Sequence, residues 1–198
     1  MKRLAAALLL MPGMLAAQAP RGLGLALDAP AADSAYTFER MPPGWHVTMG
    51  PGAILYDSTA VTGGRFAVES EIFLFPNSSD EGYGIVLGRN GDSWTGFLLS
   101  RNGTAAVLRA QGGVLTPLVA WTAHDSVPRP GEGPARAVLR VEVERDTVHF
   151  LANGARVAAV PRQAAAVDGA VGLRIGQGVN AHVASLDLTR RLAPPRGE

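Results

Sequence analysis

The 198-residue chain contains no cysteine. That absence excludes disulfide bonds, thiolate metal sites, a cysteine nucleophile and a lipidated N-terminal cysteine. A strong charge of either sign is also missing, because 18 Lys and Arg residues balance 17 Asp and Glu residues to a formal net charge of +1. A chain so close to neutrality has no basic field with which to hold nucleic acid or an anionic membrane.

Long hydrophobic runs are missing outside the N-terminus. Residues 1–3 form a short basic region, residues 4–15 a small apolar region, and small residues surround Ala17. The apolar region is well under the ~20 residues that a spanning helix needs. The pattern predicts a secretory signal peptide over residues 1–17, because a cut two residues later would place Pro20 directly behind the scissile bond. We therefore expect an exported protein, periplasmic or extracellular, without a membrane span.

Helical periodicity is missing as well, and 24 Gly and 14 Pro residues suit a chain with many turns. Apolar and polar residues alternate instead, most clearly over residues 137–144. Asn153-Gly154 then predicts a tight type I′ hairpin turn, and Asn102-Gly103 repeats that chemistry. About a dozen short strands at roughly 8–12-residue spacing predict an all-β sandwich or barrel, of which we adopt the two-sheet antiparallel sandwich.

Composition divides the rest of the chain. Residues 18–35 are rich in Ala, Pro and Gly without a clean period, which predicts a linker or a loosely held edge. The predicted strands fill residues 36–188, which we assign to one sandwich domain. Residues 189–198 are expected to form a flexible tail.

Three segments together resemble the concanavalin A-like lectin/glucanase superfamily. They are the GYGIVLG strand, the hairpin over residues 94–108, and the order LRVEVERDTVHFLANGARVAAVP, GAVGLRIG, HVASLDL. Laminin G-like domains and exported 3-keto-disaccharide hydrolase-type domains are the nearest types, and the resemblance covers residues 36–188. It implies a jelly-roll sandwich with a concave sheet that often contacts sugars. Members include lectins, glycosidases and adhesive modules, so the resemblance specifies fold more than function.

A trough for a sugar is predicted beside the Asn102-Gly103 hairpin. Counting outward from that turn places Gly96 opposite Arg109, with Trp94 just beyond on the same face, and Gly84 lies on the smooth face of another strand. A Trp ring can stack on a pyranose, and an Arg can bind hydroxyls or a carboxylate. These four residues are the candidate ligand-binding residues, unless the glycines serve only close packing or sheet bending.

Glu69 and Glu71 are the nearest match to a catalytic acid cluster. The resemblance implies three acids in the order Glu-x-Asp-x-x-Glu for a retaining glucanase, but Leu74 stands where the third would be. Alternation places the two carboxylates on one face with ~7 Å between their Cα atoms, and retaining hydrolysis needs carboxyl groups about 5–5.5 Å apart. We expect a solvated strand face here and assign no catalytic residue.

Calcium is the one cofactor that the sequence leaves open. Asp80 and Asp92 lie in short polar turns, and laminin G-like relatives often bind calcium at loop rims. Calcium needs six to eight oxygen ligands, the spacing matches no dedicated calcium loop, and such turns also form for backbone reasons. The four histidines are scattered without a paired spacing, so no zinc site is expected.

These observations favour an exported glycan-binding or adhesive module without evident catalytic machinery. One alternative is a glycoside hydrolase-like enzyme acting on a modified di- or polysaccharide, which would need Glu69 and Glu71 on the same face as Trp94 and Arg109. The other is a non-catalytic scaffold for protein–protein contact, which would need only an exposed apolar patch. Carbohydrate is the expected partner, and a protein partner stays open.

Overall fold

The computed structural model describes residues 19–20 and 22–190, and the predicted signal peptide lies outside them. All fourteen strands pair antiparallel in two seven-stranded sheets, so the predicted all-β jelly-roll sandwich is confirmed. The strands are β1 (Gly24–Leu27), β2 (Tyr36–Arg40), β3 (Trp45–Met49), β4 (Ala53–Thr62), β5 (Phe66–Leu74), β6 (Tyr83–Asn90), β7 (Ser93–Leu99), β8 (Thr104–Gln111), β9 (Val114–Ala123), β10 (Ala135–Val143), β11 (Thr147–Ala152), β12 (Ala155–Pro161), β13 (Gly169–Ile175) and β14 (Asn180–Thr189). Among the described residues, no helix has the length and hydrophobicity to cross a membrane.

Each sheet is completed by a strand from the C-terminal part of the domain. The first sheet has the order β1-β4-β13-β6-β7-β8-β9, and the second has the order β12-β11-β10-β5-β14-β3-β2. In the first sheet β13 lies between β4 and β6, and in the second β14 lies between β5 and β3. Both sheets therefore combine strands that are far apart in the sequence.

The core lies between the two sheets and follows from the alternation in the sequence. Along β10, Leu139, Val141 and Val143 are fully buried while the polar residues between them are partly exposed. Phe150 from β11 and Phe97 from β7 meet in the middle of the core. Burial of each such large side chain stabilises the folded state by roughly 1.5–3 kcal/mol, because its apolar surface is removed from water.

The Asn153-Gly154 turn is confirmed, because both residues have positive φ, 49° and 81°, as a type I′ turn requires. Counting outward from this turn predicts Phe150 opposite Val157, and that register is wrong. A bulge between Phe150 and Leu151 shifts the pairing, so Phe150 faces Ala158 instead.

The segment before the predicted domain boundary at residue 36 contains an edge strand. Within this segment, predicted as a linker or a loosely held edge, β1 pairs with β4 along the edge of the first sheet. The Asp28 carboxylate just after β1 then makes a bidentate ion pair with Arg174 of β13. The ordered sandwich therefore includes this segment.

Candidate functional site

The structure does not form the predicted trough between Trp94 and Arg109. Residues 100–103 form a four-residue loop, and Leu99 faces Ala105, so the β7–β8 register differs by one residue from the predicted one. Arg109 therefore faces Thr95, on the side of the sheet opposite Trp94. Its guanidinium donates a hydrogen bond to the carbonyl oxygen of Ala164 at 2.9 Å.

The glycines of the predicted trough serve close packing. A Cβ added at Gly96 would lie 2.8 Å from Cζ3 of Trp94, because the indole ring lies over this glycine. At Gly84 an added Cβ would collide with the carbonyl oxygen of Phe97 in the neighbouring strand. Trp94 is only 9% exposed and packs with Ile54 and other apolar residues on the outer face of the first sheet. Its ring fills the space above Gly96.

A depression of about 340 Å³ opens beside Trp94 on this outer face. That volume lies within the range of about 300–1,000 Å³ that is typical of small-molecule sites. We call it the Arg89 depression, and its lining includes Asp28, Arg89, Asp92, Trp94, Leu115 and Arg174. The structure thus places Trp94 and the calcium candidate Asp92 in one site.

Arg89 is held in an unusual environment. Its guanidinium carbon lies 3.8 Å from the ring centroid of Tyr56, which is a cation–π contact. Its Nε is buried and has no hydrogen-bond partner. Within the described part of the chain, Arg89 also forms no ion pair. The side chain is therefore oriented by Tyr56 while part of its hydrogen-bonding capacity is unused.

A β-bulge turns Arg89 to the outer face. Ala170 of β13 pairs with Arg89 of β6, and Gly172 pairs with Val86. One residue therefore separates the two pairs on β13, whereas two residues separate them on β6. The extra residue coincides with Gly88, whose φ of +61° is typical of a glycine bulge. Strict alternation would have placed Arg89 on the core side, so sequence reasoning missed it. The available signal was a glycine inside a strand.

The second arginine of the depression is already neutralised. Arg174 is bonded by both terminal nitrogens to the carboxylate of Asp28, and only 13% of its side chain is exposed. Gly52 lies directly beside this pair, and a Cβ there would meet an Arg174 nitrogen at 2.7 Å. Asp28 and Arg174 therefore form a fixed polar wall, and neither was predicted because they are distant in the sequence.

An exposed aromatic ring occupies another part of the same face. Trp121 of β9 is 42% exposed. A Cβ added at Gly82 would meet Cη2 of Trp121 at 2.9 Å and Cβ of Leu98 at 3.1 Å, so the ring lies beside Leu98. Sequence analysis did not select Trp121 as a ligand platform, yet its ring is far more accessible than that of Trp94.

Glu69 and Glu71 lie on the outer face of the second sheet, away from Trp94. Arg140 bonds Glu69 at 3.1 Å, and Arg136 pairs with Glu71. Both carboxylates are thus engaged by arginines across the β5–β10 ladder. The arrangement that the enzyme hypothesis requires, with these acids beside Trp94, is not present.

One carboxylate oxygen of Asp80, Oδ1, accepts two hydrogen bonds from the β7–β8 loop. Asn102 Nδ2 and Arg101 Nε each donate to the carboxylate at 2.9 Å, and these bonds lower the pKa of Asp80 below its ordinary value. Across residues 19–20 and 22–190, no three His, Asp or Glu side chains converge as a metal-binding group. Asp92 lines the Arg89 depression, whereas Asp80 is not among its lining residues.

A larger groove of about 490 Å³ opens between the sheets and has a mainly aliphatic lining that includes Leu23, Val171 and Leu186. Asp57 is its one acidic lining residue. The hydroxyl and backbone N–H of Thr59 donate to that carboxylate at 2.7 and 2.8 Å, which lowers the pKa of Asp57. Arg190 also lines this groove, and its charge contributes to the lowered pKa of Asp57.

Comparison with solved structures finds other proteins with a similar fold. The carbohydrate-binding module CBM66 from Bacillus subtilis matches with a TM-score of 0.64 at 13% identity, over 78% of this chain and 95% of that one. A Bacillus subtilis protein of unknown function with a galectin-like fold matches with a TM-score of 0.60 at 10% identity, over 85% and 89% of the chains. The Bacteroides ovatus xyloglucan PUL GH43B matches with a TM-score of 0.57 at 14% identity, over 88% of this chain but 38% of that one.

No family model matches the chain, and no curated protein matches it. At identities of 10–14% the structural likenesses establish the fold alone. They are consistent with a two-sheet jelly-roll sandwich.

Proposed function

We propose that this protein is an exported, non-catalytic glycan-binding module and that the outer face of its first sheet holds the sugar. The observation that carries the proposal is the Arg89 depression. There the half-buried guanidinium of Arg89 lies over the Tyr56 ring, and Trp94 lines the same depression. Small-molecule sites typically combine an apolar wall with a few oriented polar groups in this way.

The groups on this face match the chemistry of a sugar. A pyranose presents an apolar C–H face to an aromatic ring and a rim of hydroxyls to hydrogen-bonding groups. Trp121 offers an accessible ring, and Arg89 offers donors whose plane is fixed. Asp92 on the rim offers carboxylate acceptors. A glycan chain is the ligand class that can use both the depression and the exposed ring.

The comparisons support the proposal at the level of fold. One similar structure is itself described as a carbohydrate-binding module. Of the two types that the sequence resembles, the proposal adopts the laminin G-like, lectin-type role over the 3-keto-disaccharide hydrolase type. The reason is that Glu69 and Glu71 lie on the other sheet and are paired with arginines.

A glycan array tests the proposal, run with the mature chain from Gln18 with and without calcium. We expect saturable binding that Trp121→Ala and Arg89→Ala weaken, each by about tenfold or more, which is 1.4 kcal/mol or more. Arg156→Ala is the matched control, because Arg156 is exposed on β12 of the second sheet. Binding that survives both variants would contradict this location. Loss of binding in chelator would add calcium to the site.

An array without any hit would favour the protein-scaffold alternative. The exposed apolar residues of β9, Val114 at its start and Leu115 beside it, are where a partner would then be sought. Incubation of array hits with the protein, followed by analysis of the products, tests the hydrolase alternative directly. Intact oligosaccharides are the expected result.

Export is part of the proposal and rests on the pattern of residues 1–17. N-terminal sequencing of the protein recovered from the periplasm or medium is expected to begin at Gln18. Recovery from the cytoplasm with residues 1–17 attached would contradict it.

A further inference from the structure

The charges of the Arg89 depression indicate which glycans it selects, an inference that rests on the proposed function. We infer that the depression binds sugars that carry an anionic group, a uronate carboxylate or a sulfate ester, with Arg89 as the anchor. The carboxylate and the sulfate share one chemistry, a planar or tetrahedral oxyanion on a sugar ring. Titration with matched uronate-bearing and sulfated sugars distinguishes them.

Of the two arginines that line the depression, one is neutralised by an acid and the other is not. Arg174 is neutralised by Asp28 in a bidentate pair, so this pair presents no net charge to a ligand. Arg89 has no ion pair within the described part of the chain, although six other arginines there do form one. The depression therefore contains one unneutralised cation in its wall.

Arg89 also has hydrogen-bonding capacity that the protein does not use. Nε of Arg89 is buried without an acceptor, and buried polar groups in folded proteins nearly always have a partner. An arginine fork matches the two oxygens of a carboxylate or the oxygens of a sulfate, whereas a single hydroxyl satisfies only one donor. An oxyanion is thus the ligand group that best matches the guanidinium, which it would meet through the terminal nitrogens because Nε is enclosed by the protein.

The Arg89 side chain is already oriented before any ligand binds. The guanidinium carbon lies over the Tyr56 ring, 3.8 Å from its centroid, and the Gly88 bulge directs the side chain to this face. Little side-chain freedom is lost when a ligand binds to a group that is already oriented, which favours affinity. The same stacking would be unnecessary for an arginine that only solubilises the surface.

Asp92 is the acidic group that opposes this preference. It lies in the two-residue turn between β6 and β7, is exposed, and forms no ion pair within the described part of the chain. Solvent and salt screen an exposed charge more than a half-buried one. The field inside the depression is therefore dominated by Arg89, and removal of the Asp92 charge is expected to strengthen binding of an anion.

The test is a set of titrations of the purified protein with matched oligosaccharides that share one backbone: neutral, uronate-bearing and sulfated. We expect at least about tenfold tighter binding of one anionic form than of the neutral form. Arg89→Gln is expected to remove that preference, while Asp92→Asn increases it about two- to fivefold. Arg89→Lys, which keeps the charge without the fork, is expected to retain only part of it.

Each outcome has a distinct meaning. A uronate or a sulfate preference supports the inference and identifies the source of the oxyanion. Equal affinity for neutral and anionic forms overturns it and leaves the proposed function standing, and absence of binding to every form overturns both. Arg156→Gln is the control for loss of a positive charge elsewhere, and thermal unfolding of each variant shows whether its fold is intact. If Arg89→Gln does not fold, the opposite shift in Asp92→Asn decides, and an unchanged preference in that variant overturns the inference.

Discussion

The rings of Phe97 and Phe150 join the two sheets at the centre of the sandwich. Their centroids are 5.4 Å apart and their planes meet at 51°. Both side chains are fully buried, and they come from β7 in the first sheet and β11 in the second. This tilted arrangement is favourable for aromatic pairs beyond the apolar area that they bury.

Phe150→Ala is expected to lower the free energy of unfolding by about 3–5 kcal/mol, because it leaves a cavity between the sheets. A double-mutant cycle with Phe97→Leu and Phe150→Leu, measured by urea unfolding, is expected to give a coupling of about 0.5–1.5 kcal/mol. Additive losses within error would show that the two rings contribute only through burial.

The hydroxyl of Tyr83 is buried without a hydrogen-bond partner, and burial raises the pKa of this phenol above its ordinary value of 10.0. Above pH 10 the unfolded chain releases the phenolic proton while the folded chain keeps it. The free energy of unfolding therefore falls as pH rises, with a slope of up to about 1.4 kcal/mol per pH unit from this residue.

Tyr83→Phe is expected to remove that slope and to raise stability near neutral pH by about 1 kcal/mol, since the unpaired hydroxyl is gone. Urea unfolding of both proteins at pH 8, 10 and 11 measures the difference. Other titrating groups are common to the two proteins and cancel in the comparison. Parallel stability curves would mean that the Tyr83 hydroxyl ionises in the folded state.

Thr95 connects the first sheet to the segment after β12. Its hydroxyl oxygen, in a fully buried side chain, accepts a hydrogen bond from the backbone N–H of Ala166 at 2.8 Å. Thr95→Val keeps the shape and leaves that N–H without a partner, so we expect a loss of about 1–3 kcal/mol in thermal or urea unfolding. Thr122→Val, on exposed β9, is the control and should change stability by less than about 0.5 kcal/mol. Equal effects would contradict the role of Thr95.

Gly88 and Gly91 form a matched pair for testing the bulge that directs Arg89. Their φ angles are +61° and +56°, but a Cβ at Gly88 would lie 2.5 Å from the backbone of Ala166, while Gly91 has nothing within 4 Å. Both alanine variants carry the left-handed strain of about 1–2 kcal/mol, and Gly88→Ala should lose clearly more stability. It should also weaken glycan binding, whereas Gly91→Ala is a control for stability alone, because Gly91 lines the depression. Equal losses of stability would show that the Ala166 backbone yields.

The sequence was sufficient for the local features of this fold. Alternation along β10 identified core residues such as Leu139 and Val141, and the Asn153-Gly154 turn formed as predicted. Both depend on neighbouring residues, whose patterns are visible in one sequence.

The site depended on features that local patterns do not contain. A four-residue loop at residues 100–103 moved Arg109 to the other side of the sheet, although the turn dipeptide was recognised. The bulge at Gly88 brought Arg89 outward, and the ion pair between Asp28 and Arg174 joins residues 146 positions apart. One-residue register changes reverse the face of every following side chain, so the composition of a sheet face depends on small irregularities.

The position of the last two strands has a consequence for synthesis. Without β13 the first sheet is split into β1-β4 and β6-β7-β8-β9, and without β14 the second is split into β2-β3 and the β5-β10-β11-β12 group. A ribosome makes these two strands after all the others, so neither sheet can close until the end of the domain has emerged. Until then the nascent chain exposes unpaired strand edges, which are the kind of surface that promotes aggregation.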